Sequence, residues 1–241
     1  MTSSVEQRAI ITGASSGIGK ETALIFAKAG IDVALVGRSP QRLEAVRGAA
    51  AEHGVQAKTY QIDLAQVESV KEQLAAVVTD FGSVDILVNN AGIGYTNPLS
   101  RTALADWQRV LDLNLTSVFQ CVLGVLPHMR ARTRGTIINV ASIAAHNSFP
   151  DWGAYSVSKA GLVAFSKILA AEERQQGIRV VTISPGAVNT SIWDTETVQA
   201  DFNRRAMLSP ETVAQTILHA ALLPQQAVVE DLTLMPNAGA L

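Results

Sequence analysis

The chain has little that would tie it to an oxidising compartment, a polyanion or a metal. Cys121 is its one cysteine, so no disulfide forms within the chain and a reducing compartment fits. Its neighbours Phe119 and Val122 mark it as a core residue. An excess of either charge is lacking too: the formal net charge is −2. That gives no electrostatic case for nucleic acid or an anionic membrane as partner. His53, His128, His146 and His219 stand at no metal-ligand spacing, so no metal is expected. His53 and His219 read as solvated, and His128, after Pro127, as a partner of helix-terminal carbonyls. The first residues, Met1 to Arg8, lack the apolar core of a secretory signal. Arg, Lys, Asp or Pro interrupts each apolar run, so none is expected to span a bilayer. Cytoplasm is the expected location.

What is present is a globular composition: 241 residues, 48% hydrophobic and 17% charged. That length fits one domain, 1–241, with a sizeable core. Short β-rich runs alternate with amphipathic ones. The pattern predicts strands at 9–12, 32–36, 57–62, 86–89, 136–140, 179–184 and near 232–235. Helices are expected at 18–29, 40–53, 66–80, 103–130, 154–176 and 210–222. Near-continuous apolar strands separated by helices indicate parallel strands covered on both faces. The expected class is a doubly wound α/β sheet with right-handed crossovers. Residues 188–209 break the alternation without clear periodicity. They form either a substrate lid beside the strand ends or an ordinary surface connection.

Three strand ends read as parts of a dinucleotide site. Ile10-Ile11-Thr12-Gly13-Ala14-Ser15-Ser16-Gly17-Ile18-Gly19 is a strand, a small-residue turn and a helix start. Glycines there let backbone approach a ligand, and the free helix N–H groups favour a pyrophosphate. Ser15 and Ser16 add hydroxyl donors. The second strand ends Val36-Gly37-Arg38-Ser39. Gly37 stands where an acidic residue would hold a ribose, and Arg38 with Ser39 can meet a 2′-phosphate. The expected cofactor is therefore NADP(H); the plainer reading of Arg38 is a solvated side chain. After the third strand come Asp63 and Leu64. Asp63 either accepts from an adenine amino group or caps the next helix.

Tyr155 and Lys159 are four apart at the start of an apolar helical stretch, so they share one helix face. An ammonium beside a phenol favours the phenolate and lowers its pKa, as a general acid for carbonyl reduction requires. The plainer reading is a half-buried tyrosine beside a solvated lysine.

Thr12 to Gly19, Asn89-Asn90-Ala91-Gly92, Asn114, Ser142, Tyr155…Lys159 and Pro185-Gly186 occur in order. Together they closely resemble the short-chain dehydrogenase/reductase family. The resemblance implies a Rossmann-type sheet of about seven parallel strands, a nicotinamide cofactor and often a homotetramer. It implies that Tyr155 donates the proton, that Lys159 tunes it and holds the nicotinamide ribose, and that Ser142 holds the substrate oxygen. Asn114 would hold a water that links the lysine to solvent. Asn90, Ala91 and Gly92 would lie against the adenosine part of the cofactor. Pro185, Gly186, Val188 and Thr190 would meet its nicotinamide end.

His146, four residues after Ser142, is a candidate for the substrate mouth, as are Trp152 and Trp193. The leading expectation is an NADP(H)-dependent carbonyl reductase or alcohol dehydrogenase acting on a small molecule. A 3-oxoacyl-thioester reductase and a non-catalytic NADP(H)-binding regulator are the alternatives.

Overall fold

The computed structural model describes residues 7–200 and 203–239. Most of the N-terminal segment read for a signal, and Asp201 and Phe202 of the lid segment, lie outside them. The strands are β1 (Arg8–Thr12), β2 (Asp32–Gly37), β3 (Ala57–Gln61), β4 (Ile86–Asn89), β5 (Gly135–Val140), β6 (Ile178–Pro185) and β7 (Asp231–Leu234). All pair in parallel, in the order β3-β2-β1-β4-β5-β6-β7. Helices α1 (Gly17–Lys28), α2 (Pro40–Ala51), α3 (Val67–Phe81), α4 (Leu104–Leu111), α5 (Ser117–Ala131), α6 (Gly153–Glu173) and α7 (Pro210–Ala221) connect them.

The period of two along a strand explains the two-sided core. In β1, Ala9 and Ile11 face one cluster, with Phe26 of α1 and Val213 and Ile217 of α7. Ile10 faces the other, with Leu74 of α3 and Val125 of α5. Successive side chains point to opposite faces, and here both faces are covered, so both must be apolar. On the α3 side the helices approach closely. A Cβ at Gly124 of α5 would stand 2.7 Å from the Leu74 side chain.

The helix expected over 103–130 is continuous but not uniform. Between α4 and α5 the turn Asp112–Thr116 is π-helical. One stretch bears on the expectation about bilayer-spanning runs. Leu104–Ala131, a 28-residue stretch, is long and apolar enough to cross a membrane by length and composition. Asp106, Arg109 and Asp112 fall in its first turns, leaving the remainder uncharged as far as Met129. Its most apolar part is nevertheless largely buried in the fold, including Val118, Cys121, Val122, Val125 and Met129. A helix packed in the core of a folded domain has the same length and composition.

Candidate active site

After β3 the chain crosses back to the other side of β1, so the connections from β1 and β4 leave in opposite directions. Such a switch point leaves a crevice outside the strand ends. Here it is a cavity of about 490 Å³, lined by residues that follow β1 to β6.

The glycine loop forms its floor. Gly13 and Gly17 have φ of 67° and 54°, a left-handed conformation that glycine adopts without strain. Gly13, Ser15, Ser16, Gly17 and Ile18 line the cavity. Ser16 is the N-cap of α1, in extended backbone, and its hydroxyl makes no capping bond. Gly19 does not line the cavity. It is buried, and a Cβ there would collide with the Gly13 carbonyl oxygen. Its part is to let α1 pack against the loop. Asn90 fastens the loop to β4, donating from Nδ2 to the carbonyls of Thr12 at 3.0 Å and Gly13 at 3.4 Å. The main-chain N–H groups of Asn90 and Ala91 both donate to Thr12 Oγ1, at 3.0 and 3.1 Å.

At one end the cavity is polar. Arg38, Ser39, Asp63 and Leu64, the residues singled out in the sequence, line it, and so does Arg42, which sequence reading missed. Pro40 opens α2, and that start places Arg42 in its first turn; the signal was present in the Ser39-Pro40 helix start. Both arginines are exposed. Among the described residues neither is paired with a carboxylate. Asp63 accepts from the Ala65 N–H at 3.1 Å, while Gln66 holds the cap position of α3. Of its two readings, helix capping is therefore not realised.

Ser142, Tyr155 and Lys159 line the middle of the cavity beside Gly92 and Gly186. Ser142 follows β5 and accepts from the Ala144 N–H at 3.1 Å. Tyr155 and Lys159 lie on the first turns of α6, as their spacing predicted, with Nζ 5.8 Å from the phenol ring centroid. The electrostatics differ from the expectation. Burial raises the Tyr155 pKa, and hydrogen bonding with the Ser142 side chain pulls it partly back. Lys159 is itself buried, which pushes its pKa down to about 8. Its Nζ donates to the Val140 carbonyl at 2.8 Å. Desolvation thus outweighs the charge effect that the spacing alone suggested.

Asn114 sits in the π turn, fully buried. Its Oδ1 accepts from the Ile93 N–H at 2.8 Å, and its Nδ2 donates to the Ile93 carbonyl at 3.0 Å and Ser158 Oγ at 3.1 Å. It stands behind the lining. A Cβ on Gly92 would lie 3.0 Å from Asn114 Oδ1 and 3.6 Å from Lys159 Nζ.

The other end of the cavity is aromatic. Trp152 meets Tyr155 edge-on at 5.3 Å between centroids and Trp193 at 5.8 Å. Both tryptophans line the cavity, joined by Phe149, which carried no sequence signal. Ala91, Pro185, Gly186, Val188 and Thr190 also line the cavity. Gly186 has a further reason to be glycine, since a Cβ would stand 2.7 Å from Pro236. His146 is the correction. It is exposed, does not line the cavity, and its Nε2 is 3.2 Å from Ser184 Oγ. His128 accepts from the Val84 N–H at 3.3 Å rather than meeting terminal carbonyls.

Residues 188–209 are tied down at several points. Val188 bridges Leu208, Arg204 donates to Asn189 Oδ1 and the Thr190 carbonyl at 2.8 Å each, and Thr197 Oγ1 donates to the Gly94 carbonyl at 2.8 Å.

The family model described as short chain dehydrogenase matches residues 7–201. A 3-oxoacyl-[acyl-carrier-protein] reductase of Synechocystis sp. is 36% identical over 245 residues, covering 99% of this chain and 98% of the relative. Among solved structures, an alcohol dehydrogenase from the archaeon Thermococcus sibiricus, complexed with 5-hydroxy-NADP, has a TM-score of 0.88 at 28% identity, over 96% of this chain and 97% of that one. A metagenomic short-chain oxidoreductase in complex with NADP has a TM-score of 0.84 at 29% identity, over 96% and 97%.

Proposed function

The chain belongs to the short-chain dehydrogenase/reductase family, and we propose that it is an NADP(H)-dependent oxidoreductase acting on a carbonyl or secondary alcohol of a small molecule. The observation that carries this reading is one continuous cavity. It joins the glycine loop, two exposed arginines and the Ser142, Tyr155, Lys159 group.

The residues fit a dinucleotide. Glycine backbone and the α1 N-terminus suit a pyrophosphate, and Arg38, Ser39 and Arg42 suit a 2′-phosphate. The solved relatives with NADP or 5-hydroxy-NADP support the same choice. A bound nicotinamide supplies the hydride. Ser142 and Tyr155 address the substrate oxygen, and the phenol of Tyr155, held protonated by burial, gives the proton. Lys159, with a pKa of about 8, keeps its charge near neutral pH and holds the ribose. Asn114 fixes the Ile93 backbone and supports a water relay beside Lys159. Residues 188–209 serve as the substrate lid within one domain.

A homo-oligomer, with a tetramer favoured, is part of the proposal. Phe119 of α5 and Val157 and Ile168 of α6 are exposed at 43%, 47% and 59%, an apolar face that a second copy would cover.

A second reading, reduction of a 3-oxoacyl thioester, is favoured by the full-length likeness to the Synechocystis reductase. NADPH oxidation followed with simple ketones, aldehydes and an acetoacetyl thioester tests both. Turnover of ketones or aldehydes is expected. Turnover of the thioester alone selects the second reading, and none with any carbonyl rejects both.

A further inference from the structure

The cavity changes character along its length. Among the described residues that line it, the charged ones are Arg38, Arg42, Asp63 and Lys159. The first three follow β2 and β3, toward the opposite edge of the sheet from β6 and β7. Lys159 is buried and already donates to the Val140 carbonyl. Beyond Tyr155 the wall is built from Ile143, Phe149, Trp152, Ile192 and Trp193. Two polar groups there are turned to the protein itself, while Ser191 adds a hydroxyl without charge. The Trp193 indole N–H donates to the Val188 carbonyl at 2.7 Å, and the Thr195 hydroxyl donates to the Ile192 carbonyl at 2.9 Å.

A ketone brings to such a wall one oxygen, which Ser142 and Tyr155 address. Its remaining surface is apolar, and ring edges suit the tilted faces of Trp152 and Trp193. A carboxylate next to the carbonyl would lose its water with no cation there to replace it. Resting on the oxidoreductase reading above, we propose that this end selects neutral, ring-bearing carbonyls and alcohols and rejects those that carry a carboxylate beside the reacting carbon. Trp193, supplied by the segment after β6, is the residue that sets this preference.

Acetophenone and phenylglyoxylate form a matched pair, with the same ring and a methyl exchanged for a carboxylate. With the full chain and NADPH, kcat/KM for acetophenone is expected to exceed that for phenylglyoxylate by about tenfold or more. Trp193→Ala should lower the acetophenone value by about tenfold, mostly through KM, with NADPH affinity retained. In the Tyr155→Phe chain loaded with NADPH, acetophenone should quench tryptophan fluorescence to saturation and phenylglyoxylate should not. Equal or better reduction of phenylglyoxylate overturns the proposal and leaves the oxidoreductase reading standing. So does an enzyme that reduces aliphatic carbonyls yet neither reduces nor binds acetophenone. Absence of NADPH oxidation with every carbonyl removes the underlying reading, and the proposal with it.

Discussion

Lys159 donates to the main-chain oxygen of Val140 at 2.8 Å, with its side chain almost wholly buried at the cavity wall. Burial lowers its pKa from 10.5 to about 8. Below about 8 both folded and unfolded chains carry the charge, and the folded one bears the whole desolvation cost. Between about 8 and 10.5 the folded chain has lost the proton that the unfolded chain keeps, so this group's contribution to stability rises with pH across that window. Lys159→Met removes the cost. Its Tm at pH 7 should exceed wild type, by roughly 2–4 °C for each kcal/mol recovered, and the gap should close as the pH approaches 10.5. Turnover should be lost. A calorimetric scan at three pH values is enough, and a lower Tm at pH 7 counts against the account.

Tyr155→Phe removes the phenolic proton and little volume. General acid catalysis contributes roughly 10²–10⁴ in rate, so kcat should fall by about that factor while NADPH still binds. Stopped-flow reduction of a ketone, paired with NADPH fluorescence titration, separates the two. Near-wild-type turnover sinks the assignment.

Arg38, just before the N-cap of α2, and Arg42, in its first turn, both line the polar end of the cavity. Charge-assisted hydrogen bonds are worth roughly 1.5–3 kcal/mol each, about tenfold or more in affinity. Arg38→Asp should therefore weaken NADPH by at least about tenfold relative to NADH, and Arg42→Ala should do so to a lesser degree. Kd values for both cofactors decide it. An unchanged ratio in both variants removes the 2′-phosphate role.

Gly19 leaves no room for a side chain, because a Cβ would strike the backbone carbonyl of Gly13. A backbone oxygen cannot swing aside as a flexible side chain can. Gly19→Ala should cost roughly 1–3 kcal/mol of stability, the usual penalty of overpacking. Because the same shift moves the loop, NADPH affinity should fall with it. Denaturant melts and cofactor titration test the pair of effects together, and a loss of neither means the loop yields without cost.

Much of this was readable in the sequence, for physical reasons that differ from place to place. Strands such as Ile86–Asn89 stood out because burial on both faces demands an unbroken apolar run. Tyr155 and Lys159 were legible because an α-helix returns to the same face after four residues. The same count misled at His146. The segment after Ser142 is not α-helical but a cap followed by a 3₁₀ turn, Ile143–Ala145. With three residues per turn, the fourth falls on another face. Arg42 was legible from the expected helix start at Pro40 but was not read from it, whereas Phe149 was missed because its placement depends on how a loop folds back, which leaves no periodic mark. The direction of the Tyr155 shift was unreadable for a similar reason. Spacing reports a neighbour's charge, while burial depends on the whole fold.

The π turn at Asp112–Thr116 has a consequence for how this chain tolerates insertion and deletion. A π turn is an α-helix holding one surplus residue. Deleting one residue there should let Leu104–Ala131 run as an ordinary α-helix with regular hydrogen bonds. It would also turn one half of the helix against the other by about 100°. Asn114 could then no longer face Ile93 while Val118, Cys121 and Val125 still faced the sheet. The surplus residue makes the helix less regular, and it lets one helix serve two directions at once.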